Sequence, residues 1–318
     1  MHCMKIACFL CLCCAAMAAR ADATYFTADS SVIYDSNIGR SELSRDIEDD
    51  FALEAGLTAA RSFRLGDKSG LVVRGGAHVA KQFRFDDLSR LSLEAGASYR
   101  IQPVVGFTNP WIELALGVAR LEYRDSRIRD GWVSNAGISV GKYFTDRIRA
   151  TAGWSYELRN AEQGQVFDWH RNTITLGVDY RLSENGTLYA NGSRIYGDQV
   201  SSASVQVSSA SNSPSPGLIF DPVTGTYITV NGNSVSNLSS ISNASKAIAR
   251  DTALDKNATN QYFAYRVGAI TDVVEIGFNY AIKGNLALDF SLQYYNSDAD
   301  GGLSYDGTNV RAGLLYRF

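Results

Sequence analysis

Apolar and polar residues alternate with a period of two along most of the chain. In 169–182 the positions Ile174, Leu176, Val178, Tyr180 and Leu182 are apolar, while Arg171, Thr173, Thr175, Gly177, Asp179 and Arg181 fill the places between them. In 148–159, Ile148, Ala150, Ala152, Trp154, Tyr156 and Leu158 oppose Arg149, Thr151, Gly153, Ser155, Glu157 and Arg159. The same pattern recurs in 91–102 and 286–295. A helix would scatter such residues around its circumference, whereas a strand gathers them on one face. These runs last roughly 10–14 residues, against about 5–6 for the commonest soluble strand and about 9–11 for a tilted membrane strand.

The pattern predicts about twelve strands, at 24–35, 50–64, 70–85, 90–103, 110–124, 131–144, 147–160, 169–183, 187–197, 263–282, 285–296 and 305–318. Connections alternate in length. Leu65–Ser69, Val104–Asn109, Thr145–Asp146, Ser183–Gly186 and Lys283–Gly284 are short, and most of the others are longer and more polar. This asymmetry is that of a transmembrane barrel with short periplasmic turns and long outer loops. The expected fold is all-β, a transmembrane antiparallel up-and-down β-barrel, with both termini on the periplasmic side. In strand five the apolar phase shifts from Val118 to Leu121, which predicts a β-bulge near Ala119. A similar shift between Ala269 and Val273 predicts a second one. Aromatics near strand ends, among them Phe63, Phe83, Phe85, Trp111, Tyr123, Trp132, Phe144, Trp169 and Tyr180, are expected to form the two interfacial girdles.

Residues 1–23 read as a secretory signal: Lys5, an apolar run from Ile6 to Ala19, and small-x-small sites at Ala16-Met17-Ala18 and Ala21-Asp22-Ala23. Residues 24–318 are then the barrel. All five cysteines and all three methionines lie in this leader. Beyond Met17 no disulfide, thiolate metal site or cysteine nucleophile can form, and no cofactor is expected. The net charge of −3 does not suggest a nucleic-acid partner.

Residues 198–262 break the alternation. They are rich in Ser and Asn and are expected to form a long extracellular loop. It is read either as disordered or as a channel-constricting or ligand-facing element. Leu218–Phe220 and Thr226–Val230 flank a turn sequence and predict a small hairpin, and 247–254 predicts a short helix.

The chain ends with Val310, Ala312, Leu314, Tyr316 and Phe318 on one face of the last strand. This resembles the C-terminal β-signal of Gram-negative outer-membrane proteins, which implies an outer-membrane location and the barrel-assembly machinery, membrane lipid and lipopolysaccharide as partners. The stretch Tyr34-Asp35-Ser36-Asn37-Ile38-Gly39-Arg40 resembles a motif near the start of β-barrel porins, some of them linked to exopolysaccharide export. That resemblance implies passive transport.

If the apolar faces meet lipid, the opposite faces line a lumen. They carry Arg74, His78, Glu94, Glu113, Arg149, Glu157, Arg171, Asp179, Glu275, Asp289 and Arg311, with Arg64, Arg84, Arg100, Arg159, Arg181 and Arg317 in the same phase. Two compatible readings follow: a salt-bridge network that fills the barrel, and a narrow pore whose charged rows orient small polar or anionic solutes. A third reading is an adhesive or envelope-polysaccharide-associated barrel that uses the long loop. An enzyme is not expected. Asp168-Trp169-His170 resembles the Asp-x-His pair of omptin proteases, but a second acidic pair is found only at Asp298-Ala299-Asp300, in an expected loop, and His170 shares the phase of Ile174 and Leu176.

Overall fold

The computed structural model describes residues 21–206, 217–221, 226–230, 245–255 and 260–318. The expected leader therefore lies outside the described residues, apart from its last three. Nine strands follow one another: β1 (Ala21–Asp35), β2 (Asp50–Gly66), β3 (Ser69–Gln82), β4 (Arg90–Ile101), β5 (Trp111–Tyr123), β6 (Gly131–Tyr143), β7 (Ile148–Ala161), β8 (Trp169–Arg181) and β9 (Gly186–Gln206). The pair β10 (Gly217–Asp221) and β11 (Thr226–Val230) forms the predicted hairpin by itself. β12 (Ala247–Arg250) edges β13 (Asn260–Lys283), and β14 (Leu286–Ala299) and β15 (Leu303–Arg317) complete the chain. β1 to β9 each pair antiparallel with the next, as do β12 to β15, while β9 pairs with β13 and β15 with β1. The result is a closed barrel of twelve strands. Closure leaves no sheet edge to satisfy in lipid.

Directly paired residues share a face, so the registers sort the two sides. Leu57, Leu116, Leu176, Ile276 and Leu292 point outward and keep more than half of their surface exposed. Phe83, Trp132, Phe144 and Tyr180 lie on the same side. The inward side carries polar and small residues. Large side chains there lie over glycines on the facing strand: a Cβ on Gly277 would stand 2.1 Å from the Tyr189 ring.

Three sequence expectations need correction. First, β5 pairs with β4 and β6 without a register shift, and β13 is regular through 269–273. No bulge exists at either place. Leu121 and Tyr123 instead point inward, and the outward positions beside them are Arg120 and Glu122. Above the apolar belt the outward face no longer has to be apolar, so the phase of hydrophobicity changes while the strand does not. Second, Trp111, Tyr123 and Trp169 lie inside the barrel, and Phe85 is in a core at the end opposite the chain termini. They are not girdle residues. Third, the segment 247–254 is a strand followed by a 3-10 turn (Thr252–Leu254), not a helix.

β9 runs to Gln206, well into the expected loop. Its pairing with β8 ends at Arg171↔Gly197, and that of β13 with β14 ends at Ala269↔Ala299. The β9–β13 ladder continues to Gln206↔Asn260, with β12 joined to the other edge of β13 from Arg250↔Phe263 to Ala247↔Arg266. Gly197 marks the departure, with φ +149° and the His170 carbonyl where a Cβ would stand. Beyond it the extended β9–β13 pair crosses the mouth opposite the chain termini as a lid. Ser202 N–H donates to the Gly39 carbonyl at 2.8 Å, and Ser41 Oγ–H donates to the Ser202 carbonyl at 2.6 Å. Tyr262 Oη–H donates to Glu48 Oε1 at 3.4 Å. Three small cores seal the lid against loops from around the rim. Leu254 and Tyr262 pack with Phe85 and Leu88, Ala249 and Ala264 with Val166 and Phe167, and Tyr265 and Val267 with Leu303 and Tyr305.

Candidate functional site

Beneath the lid lies a cavity of about 700 Å³, within the size range of small-molecule sites. Its two walls differ. On the wall built by β1–β4 each basic side chain has an acidic partner. Arg40 lies 3.2 Å from Asp35, Arg90 lies 3.3 Å from Glu54, and His78 Nε2 lies 3.3 Å from Glu94 Oε1. The alternation of β2–β4 and short cross-strand distances make these pairs.

The opposite wall, built by β7, β8 and the turn Arg127–Arg129, carries arginines on aromatic rings. Arg159 and Arg171 lie 4.4 and 4.3 Å from the Trp169 centroid, and Arg129 lies 4.2 Å from that of Phe167. Such contacts favour cations in a partly desolvated site. Trp169 Nε1–H donates to Glu157 Oε1 at 2.8 Å. Arg159 donates through Nη2 to the Arg129 carbonyl at 2.5 Å, and Arg171 through Nε to the Asp198 carbonyl at 2.8 Å. Arg129 also pairs with Asp251 of the lid at 2.5 Å, and Ser202 Oγ–H donates to the same Asp251 oxygen at 3.0 Å. Asp251 is fully buried.

The predicted lumen residues do not converge on one site. His78, Glu94, Glu157 and Arg171 line the cavity. Arg74 lies one level below, against Gly96. Nearer the short turns, Glu113 pairs with Arg100 at 2.7 Å and Asp179 with Arg149 at 2.5 Å, each pair directly across a strand boundary. Glu275 accepts from Asn191 at 2.9 Å, and Asp289 from Tyr189 at 3.2 Å. Arg311 is inward in register, between Ser291 and Ile33. The Arg100 and Arg149 side chains remain 57% and 42% exposed, so this end of the lumen is accessible to water. Ion pairs so exposed contribute about 0–1 kcal/mol each. Arg84 departs from the expectation: it sits at the lid-side rim, 2.8 Å from Glu48 and 3.1 Å from Asp49.

Arg129, Asp251 and Trp169 were not expected at the site. The first two stand outside the twelve strands, where no period announces them, and Trp169 matched the girdle pattern. Its phase with Arg171 and Thr173 was the available signal. Asp168 and His170 hold different partners. Asp168 Oδ1 accepts from Ala161 N–H at 2.6 Å, while His170 Nδ1 lies 3.1 Å from Asp198 on the outer side. Val310, Ala312, Leu314, Tyr316 and Phe318 share the outward face at the end of the chain, with Phe318 N–H donating to the Phe26 carbonyl at 2.9 Å.

No protein-family profile matches the chain, and no curated protein matches it by sequence. Solved structures do match. An outer membrane channel from Pseudomonas putida F1 aligns with a TM-score of 0.51 and 9% identity, over 92% of this chain and 96% of that one. The KdgM porin aligns at 0.39 and 10% identity, over 92% and 99%. The NanC porin aligns at 0.44 and 8% identity, over 91% and 98%. The first of these likenesses shows a shared fold.

Proposed function

We propose that this chain sits in the bacterial outer membrane as a narrow, porin-like channel for small polar or anionic solutes. The apolar belt faces lipid and lipopolysaccharide, both termini face the periplasm, and Val310, Ala312, Leu314, Tyr316 and Phe318 present the signal that the barrel-assembly machinery reads. One observation carries the reading. The closed barrel has a charged interior that is accessible to water at one end and holds a cavity at the other, beneath a lid (Glu113, Arg149, Asp179 below; His78, Glu94, Glu157, Arg171 above). A filled structural barrel needs no such cavity.

Planar-bilayer recording on the refolded protein tests it. The full chain is expected to show small discrete conductance steps, and a variant lacking 201–259 larger ones. Absence of discrete conductance from both overturns the channel reading. Heat-modifiable migration on gels confirms in each case that the barrel has formed.

A further inference from the structure

The two walls of the cavity invite a question of charge balance. On the β1–β4 wall the carboxylates of Asp35, Glu54 and Glu94 each have a cationic or imidazole partner. On the other wall, among the described residues, no carboxylate lies within 4.0 Å of the Arg159 or Arg171 guanidinium. Glu157, directly across from Arg171 in register, lends it opposite charge without an ion pair, and its Oε1 accepts from the Trp169 N–H; Arg159 has no such neighbour. Arg159 is only 4% exposed, and its Nε has no hydrogen-bond acceptor. Removing a guanidinium from water without a counter-charge is costly. A planar donor fork of this kind is suited to a bidentate oxyanion.

We propose that the cavity beneath the lid binds a small carboxylate- or phosphate-bearing solute, its anionic group held by Arg159 and Arg171 beside Trp169. The proposal deepens the channel reading and rests on it for the solute's access. The lid itself illustrates the chemistry. Asp251 places a carboxylate against Arg129 at the edge of the same cluster, and Arg159 reaches the Arg129 carbonyl. Acceptors on the facing wall (Asp29, Glu54, Glu94 and Gln82) give the polar body of the solute hydroxyl partners. A neutral apolar solute gains nothing from either wall.

Titration calorimetry on the refolded full-length protein in detergent micelles, at low ionic strength, tests the site with three probes: gluconate, inorganic phosphate and glucose. Gluconate, phosphate or both are expected to bind, and glucose is not. Binding of gluconate alone identifies a carboxylate solute, and of phosphate alone a phosphate ester. Arg159→Gln and Arg171→Gln are each expected to weaken binding at least tenfold, whereas Arg61→Gln, on the outward face, removes the same charge without effect. Should a glutamine variant fail to fold, Arg159→Lys and Arg171→Lys retain the charge and lose the fork, and a smaller loss is expected. Anion binding is also expected to change the fluorescence of Trp169, a signal absent from Trp169→Phe. The proposal is overturned if no probe binds, if glucose binds as well as the anions, or if the arginine variants bind them like the parent. Conductance is scored separately. A non-conducting barrel that still binds phosphate overturns the channel and keeps the site, and a conducting barrel that binds no anion does the reverse.

Discussion

The membrane belt and the lid are built from continuous stretches of the same two strands, β9 and β13, yet they follow different rules. In the belt each strand has one face toward lipid and one toward water. Leu188 and Ala190 face out while Tyr189 and Asn191 face in, and the partner strand repeats this with Ile276 and Glu275. In the lid both faces are covered by protein. Ser201 and Ser202 are buried on adjacent, opposite-facing positions, as are Ala264 and Tyr265. Alternation therefore reports a difference between two surroundings, not the strand itself. Where the surroundings become alike, small residues and specific polar contacts replace the period.

The lid depends most on its buried charge. Arg129→Met leaves Asp251 with Ser202 alone, and loss of one partner of a buried pair costs about 3–5 kcal/mol. Amides in 246–255 are then expected to exchange roughly 100-fold faster or more, as 1.4 kcal/mol is tenfold. Gel migration of the barrel should not change. Unaltered exchange there would mean that the apolar cores alone hold the lid. The belt answers to the opposite change. Leu176→Arg puts a charge on the lipid face near mid-barrel and is expected to cost about 2–4 kcal/mol of barrel stability, read by unfolding in vesicles, with lid exchange intact. The junction of the two regions is Gly197. Gly197→Val forces a β-branched residue to φ +149° with the His170 carbonyl 2.2 Å from its Cβ, at a cost of about 1–3 kcal/mol. The lid should loosen. Gly192→Ala, whose Cβ meets nothing within 4 Å, is the matching control and should change stability by less than about 0.5 kcal/mol.

The same contrast explains what the amino-acid order disclosed. Belt strands were legible to within a few residues, because lipid on one side imposes Ile174, Leu176 and Val178 in phase. The lid was legible only as a break in that phase. Its residues 199–206 are Gln, Val, Ser and Ala, which carry no period, and their strand is held by pairing with 260–267 far along the chain. The phase shifts near Ala119 and Ala269, which suggest bulges, have the same origin. Arg120 and Asp272 are outward residues above the apolar belt, where each can be charged (Asp272 accepts two bonds from Arg194, at 2.7 Å each). Of the cavity, His78, Glu94, Glu157 and Arg171 could be read from phase, while the Arg129–Asp251 pair joins a turn to a loop and could not.

The smallest and most graded test uses pH. Burial pushes the phenols of Tyr262 and Tyr265 above their ordinary range. The carboxylates of Glu48 and Asp46 add to the shift at Tyr262, and the Tyr305 hydroxyl adds to it at Tyr265. Both residues stand in the lid, beyond the apolar belt. A free phenol ionises near pH 10, so an open lid releases its protons before a closed one does. The closed state is thus fully favoured below about pH 10. It loses about 1.4 kcal/mol per phenol for each further pH unit until the raised value is passed. Conductance in planar bilayers should therefore rise reversibly between about pH 10 and 11, in step with phenolate absorbance, and stay flat between about pH 7 and 9. The double variant Tyr262→Phe, Tyr265→Phe has no such protons to release, and its lid should remain shut over the same interval. A parent protein that conducts equally across the whole range, or a double variant that opens alongside it, would show that ionisation of these two phenols does not open the mouth.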